Sequence, residues 1–82
     1  MTHALKTIHP YFKEIVDGVK TFEVRKADRP FKVGDKLLLQ EYDIVGKVYS
    51  GDEWNGTITY ILNDEAFCKK GFIILGIKEI ES

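Results

Sequence analysis

The sequence predicts a single α+β domain: a curled sheet or small β-barrel of about five strands with one or two short helices. Three observations predict it. Apolar and polar residues alternate with a period of two in several short segments. Helical spacing is confined to one stretch near the N-terminus. Many short strands with so little helix favour a curled sheet over a stack of βαβ units. At 82 residues the chain is read as one domain, 1–82, with no repeat, linker or low-complexity segment.

The elements follow in order. Met1 to Ile8 reads as a first strand with Ala4, Leu5 and Ile8 as its apolar members. His9 to Gly18 reads as a short helix. Pro10 fits its first position, where a missing N–H costs nothing, and Phe12, Ile15 and Val16 recur at helical spacing. Gly18 is the natural stop. Thr21 to Lys26 alternates strictly, with Phe22 and Val24 on one face and Thr21, Glu23 and Arg25 on the other. Asp28-Arg29-Pro30 turns the chain, and Val33-Gly34-Asp35 is a tight turn. Lys36 to Tyr42 is a third strand. Residues 43–53 read as loop, punctuated by Gly46 and Gly51. Trp54 to Leu62 is a fourth strand, with Ile58, Tyr60 and Leu62 on one face and Tyr60 assigned to the core. Asn63 to Lys70 is a helical turn or irregular segment that Asn63 or Asp64 can cap. Gly71 to Ile80 closes the fold as a fifth strand.

Bulk properties exclude several classes of function. Hydrophobic content of 44% and charged content of 30% are those of a globular chain. No apolar run approaches the roughly 18 residues of a membrane span, and no signal-peptide pattern opens the sequence, so the expected location is cytoplasmic. A domain of this size buries only about 60% of its unfolded surface, which favours an open groove over an enclosed cavity. One cysteine, Cys68, excludes an internal disulfide and any cysteine-only metal site. Two histidines, His3 and His9, make a poor zinc signature; no metal and no cofactor are expected. Cys68 beside Phe67 reads as a small packing residue, His9-Pro10 as the helix start, and His3 as a residue at the edge of a cleft. No phosphate-cradling loop, dinucleotide fingerprint or nucleophile elbow is present.

The net charge of −1 is unevenly spread. Residues 1–40 carry eight Lys/Arg against five Asp/Glu, and residues 41–82 carry four against eight. From Lys20 to Lys36 six basic residues face three acidic ones. A basic stretch within a nearly neutral chain is either a solvated charged face or a local anion site.

Within it, the polar face of the strand after Lys20 sets a hydroxyl, a carboxylate and a guanidinium in a row, about 6.5–7 Å apart. Arg25 presents a planar donor fork suited to phosphate or a base edge. Glu23 accepts from an exocyclic amine or ring N–H, and Thr21 can do either. Lys20, at the helix-to-strand turn, can swing to the same side, and Lys26 adds charge. The bland alternative is that Glu23 and Arg25 simply pair on the surface, which is worth about 0–1 kcal/mol. Trp54, Tyr42, Tyr49 and Tyr60 are candidate stacking platforms for bases, or else core, the stronger reading for Tyr60.

Gly18-x-Lys20-Thr21-x-Glu23-x-Arg25 resembles the signature of ASCH domains in the PUA-like superfamily. The likeness extends through Leu5-Lys6, Tyr11-Phe12, Asp28-Arg29-x-Phe31-x-Val33-Gly34-Asp35 and Gly71-Phe72-Ile73-Ile74-Leu75, and so over nearly the whole chain. It is most similar to a compact bacterial and phage branch without a settled function. The resemblance implies a small PUA-like β-barrel with a cleft near Lys20, Thr21, Glu23 and Arg25, and an RNA or nucleobase-like ligand. One branch of that family hydrolyses the acetyl amide of 4-N-acetylcytidine with a Lys, a Thr and a downstream Glu. The Lys matches Lys20, but the Thr falls on Glu23, a departure. The downstream Glu has only Asn63-Asp64-Glu65-Ala66-Phe67 to draw on, which leaves Glu65 as its candidate.

The leading expectation is an RNA- or nucleobase-binding module using Lys20, Thr21, Glu23, Arg25, Lys26 and Trp54. The first alternative is a small amidohydrolase acting on a modified nucleoside through Lys20 with Thr21 or Glu23. The second is a protein-interaction module using an exposed strand edge.

Overall fold

In the computed structural model, which describes residues 1–80, one mixed sheet curls around an apolar interior and one short helix packs against it. The elements are β1 (Thr2–Ile8), α1 (Tyr11–Val16), β2 (Phe22–Lys26), β3 (Lys36–Asp43), β4 (Val48–Leu62) and β5 (Phe72–Glu79). Their spatial order is β1-β3-β4-β5-β2. β1 and β3 run parallel; every other neighbouring pair is antiparallel. The sheet forms a half-barrel, and its two edges, β1 and β2, approach each other across a seam. The expected α+β fold of five strands is therefore present, with one helix.

The interior follows from the period of two. Leu37, Leu39, Ile58 and Leu75 are at most 1% exposed and form the centre. Leu5, Ile73, Ile77 and Trp54 surround them, and Phe12 and Ile15 of α1 cover them. Trp54 lies so closely over Gly56 that a side chain at that glycine would collide with the indole ring.

Several boundaries and faces differ from the sequence reading. On β1 the buried residues are His3, Leu5 and Thr7, while Ala4 is exposed. The two partly polar positions are tolerated because each has a partner, described below. Residues 43–53 are not a loop: β3 and β4 form one long hairpin, turning between Asp43 and Val48. A register shift between Ile58 and Tyr60 slips the alternation of β4 by one residue. Tyr60 is consequently 64% exposed and not in the core, and Ile61 turns inward instead. Pro10 occupies the cap position of α1, one residue before its first turn. Residues 63–71 form turns in which the Asp64 side chain accepts from the Ala66 N–H, at 2.9 Å.

No helix among the described residues is long and apolar enough to cross a membrane.

Candidate functional site

The helix end sets the first side chain. Gly18, with φ of +77°, ends α1 in a left-handed cap. The Val19 N–H reaches Glu14 O at 2.9 Å and the Gly18 N–H reaches Ile15 O at 3.0 Å, the paired bonds of a Schellman closure. The Lys20 N–H shares the Glu14 carbonyl at 3.0 Å. Lys20 is thereby fixed at the mouth of β2.

β2 alternates as read, but in the opposite sense to that of a half-buried strand. Its polar face turns inward and Phe22 and Val24 turn outward, 44% and 51% exposed. The register explains the inversion. Glu23 lies opposite Leu75 and Arg25 opposite Ile73, so both share the face of core residues. Glu23 is only 4% exposed.

A buried carboxylate must be paired, and Glu23 is paired twice. Lys20 Nζ donates to Oε1 at 2.8 Å. Arg25 Nε donates to Oε2 at 2.9 Å, and its Nη2 lies 2.7 Å from the same oxygen in an ion pair. Lys20 Nζ also donates to Phe22 O at 2.6 Å and lies 4.7 Å from the centre of the Phe22 ring and 5.5 Å from that of Tyr11. Arg25 Nη2 reaches across the seam to β1, donating to Lys6 O at 2.8 Å and Thr7 Oγ1 at 3.1 Å. Where no backbone ladder joins β1 to β2, this guanidinium joins them. No hydrogen bond found among the described residues uses Arg25 Nη1.

A groove of about 580 Å³ opens over this seam. Its floor is Thr7, Glu23 and Arg25, the inward residues of both edges. Its walls are the outward residues Lys6 and Ile8 of β1 and Phe22 and Val24 of β2, with Tyr11 and Lys20 closing one end. Three cations stand against one carboxylate there. The groove combines apolar walls, directed cationic donors and two strand edges, and its volume lies in the range of small-ligand sites, about 300–1,000 Å³.

The predicted residues divide. Lys20, Glu23 and Arg25 come together. Glu23 differs from expectation in one respect: both its oxygens hold cations, so it positions Lys20 and Arg25. Thr21 is exposed and does not line this groove. It belongs to a separate hollow of about 170 Å³, which Trp54 and Lys20 also line. Trp54 is 7% exposed and sits in the core. Lys26 is exposed, beyond the groove. Glu65 is exposed and is not among the groove residues.

His3 is not at a cleft edge. It is 3% exposed, stacked 4.6 Å from Phe31, and its Nε2 donates to Asp35 at 2.8 Å. That bond, with a 3.0 Å bond from the Lys32 N–H, pins the turn before β3. Together they hold the Asp35 carboxyl below its ordinary value, the His3 bond contributing most. Cys68 is half-buried, its thiol 3.5 Å from Leu62 O. Among the described residues no cluster of three His, Cys, Asp or Glu is placed to hold a metal.

Thr7 was missed by the sequence reading. The available signal was a polar residue in phase with His3 and Leu5, facing the equally polar inner face of β2.

Residues 2–77 match the family model described as Domain of unknown function (DUF3850). No curated protein matches the chain.

Proposed function

The chain belongs to the DUF3850 family, a domain family of unknown function, and we propose that it is a nucleobase- or RNA-binding module of ASCH and PUA-like type that works in the cytoplasm. The single observation that carries this reading is the cluster of buried Glu23 with half-buried Lys20 and Arg25 that lines the seam groove. Holding a carboxylate out of water is costly unless its cationic partners are in place. Apolar residues of the same volume often stabilise a fold as well or better, so a charged cluster opening on a groove is read as a ligand site.

The chemistry fits a base and its phosphate. Arg25 Nη1 and the remaining Lys20 proton are directed donors for a carbonyl or a phosphate oxygen. The outer edges of β1 and β2 offer backbone N–H and C=O groups to the polar edge of a planar ring. Phe22, Tyr11, Ile8 and Val24 give that ring apolar faces to lie against. With so few cations, binding neutralises few phosphates, and the salt dependence is shallow.

The amidohydrolase alternative retains Lys20 beside Glu23 but loses Thr21, which faces the other hollow. An amide-active site would then need a different nucleophile within reach of the pair.

An amide-shift titration of labelled protein with short single-stranded RNA and with cytidine-type nucleosides tests the proposal. Shifts concentrated on Lys6 to Ile8 and Lys20 to Arg25, weakened about tenfold or more by Arg25→Lys, are expected, because lysine cannot reproduce the fork. Unchanged binding in Arg25→Lys and Lys20→Gln would sink the assignment. Release of cytidine from 4-N-acetylcytidine would move the reading to the amidohydrolase. A flat response to every nucleic-acid ligand would favour a protein partner at the strand edges.

A further inference from the structure

We propose that Lys6, Tyr42 and Tyr49 form a second stacking station beside the seam groove, so that the ligand is a single strand of two or more nucleotides and not a lone nucleoside. This inference rests on the nucleic-acid reading above and narrows it.

The two tyrosines lie directly opposite each other on β3 and β4. Their rings meet edge to face, with centroids 5.0 Å apart and planes at 69°. Lys6 Nζ sits 4.4 Å from the centre of the Tyr42 ring and 5.9 Å from that of Tyr49. A cross-strand tyrosine pair is common as a purely structural feature. Three facts set this one apart. Tyr49 is 47% exposed, well outside the core. Lys6 makes no ion pair among the described residues, which leaves its charge available above the rings. And Lys6 belongs to both places: its side chain caps the tyrosines, while its carbonyl receives Arg25 and its residue forms the β1 wall of the groove.

Lys6, Ile8 and Tyr42 share the outward side of the β1–β3 pair, since Leu5 and Leu39 take the inward side. A strand leaving the groove over β1 therefore meets the tyrosines on the same surface, one lysine side chain further on. Lys6 itself lines the groove and caps the Tyr42 ring, so the groove and the tyrosine pair are contiguous. Exposed aromatic rings that continue a cationic groove are the pattern by which single strands are held without a fixed sequence, bases stacking on the rings and cations tracking the backbone.

The test compares ligand length. The four ribonucleoside monophosphates and random-sequence oligoribonucleotides of two, three and six nucleotides are titrated into labelled protein, wild type, Tyr49→Ala and Tyr49→Phe. Affinity is expected to rise about tenfold or more between the monophosphates and the trinucleotides, the fold-change that stacking one further base supplies. Tyr49→Ala should remove that increment while leaving the monophosphate affinity unchanged, and Tyr49→Phe should restore it. Monophosphates bound as tightly as hexanucleotides, or an increment that survives Tyr49→Ala, would overturn the second station and leave the groove reading intact. Absence of binding at every length would overturn both.

Discussion

Leu75 and Glu23 face each other across β5 and β2 and are almost equally buried, at 0% and 4% exposure, yet they solve burial by opposite chemistry. Leu75 stands where every neighbouring strand is hydrogen-bonded to the next, so removal from water is the whole of its contribution. Glu23 stands at the last strand, beside a seam with no backbone ladder. There the interior must be closed by side chains, and Arg25 closes it by spanning from Glu23 to Lys6 and Thr7. One half of the molecule is thus stabilised by packing, which tolerates substitutions of similar volume. The other is held by a charge network in which each member depends on the rest.

The largest effect should come from breaking that network at its centre. Glu23→Ala strands two half-buried cations and is expected to cost about 3–5 kcal/mol in urea unfolding, as breaking a buried pair does. Leu75→Ala should cost about 2–5 kcal/mol through the cavity it leaves. The two single changes look alike, so a third variant sharpens the contrast. Replacing Lys20, Glu23 and Arg25 together by Met, Leu and Met removes all the charges at once. Stability should then stay within about 1 kcal/mol of wild type or rise, since apolar substitutes for buried ion networks are often neutral or better. Nucleic-acid binding should vanish. A triple variant as unstable as Glu23→Ala would mean that the cluster serves the fold alone.

The packed half has its own sensitive point. Gly56→Ala puts a Cβ into the ring of Trp54 and 2.9 Å from Lys78 O, a backbone atom that cannot yield cheaply. Overpacking of this kind is expected to cost about 1–3 kcal/mol. Trp54→Phe should recover part of that cost in the double variant, because the far ring of the indole is what collides. Equal losses in the single and double variants would place the strain at Lys78 instead.

How legible these two halves were in the sequence follows from their physics. The packed half was readable: Leu37, Leu39, Ile73, Leu75 and Ile77 announce themselves by period and hydropathy. The signature residues Lys20, Glu23 and Arg25 were readable as a set, but not their direction. Alternation fixes that two faces differ; which one turns inward is decided by the partner strand, and the pairing of Glu23 with Leu75 is a long-range fact. Thr21 was misplaced for a different reason. It precedes β2, outside the strand's regular alternation, and opens onto the hollow over Trp54. Tyr60 was misplaced because one register shift, invisible to a period-two pattern, moved it outward.

Acid should act on the opposite end of β1 from the seam. Asp35 has its carboxyl held below the ordinary value of 3.8, by the His3 bond first and the Lys32 N–H next. A lowered folded value means that the carboxylate's contribution is fully present above 3.8 and is lost as pH falls through the folded value. The unfolding midpoint of Asp35→Asn should therefore lie below wild type at neutral pH, and the gap should close on acidification below that range. A gap that persists unchanged at low pH would show that the turn is held by geometry and not by the charge.

The smallest effects mark where the seam network stops. Thr21→Ala and Glu65→Ala alter exposed side chains for which no hydrogen bond or ion pair is found among the described residues, and neither lines the groove. Each should leave stability within about 0.5 kcal/mol of wild type and nucleotide affinity unchanged. These are the two positions through which a hydrolytic site would have drawn a hydroxyl and a distant carboxylate. In the binding reading proposed above, the groove's cations are already positioned by Glu23. Loss of affinity in Glu65→Ala would extend the network past β2 into the turn before β5, and would restore that carboxylate as a third partner for Lys20 or Arg25.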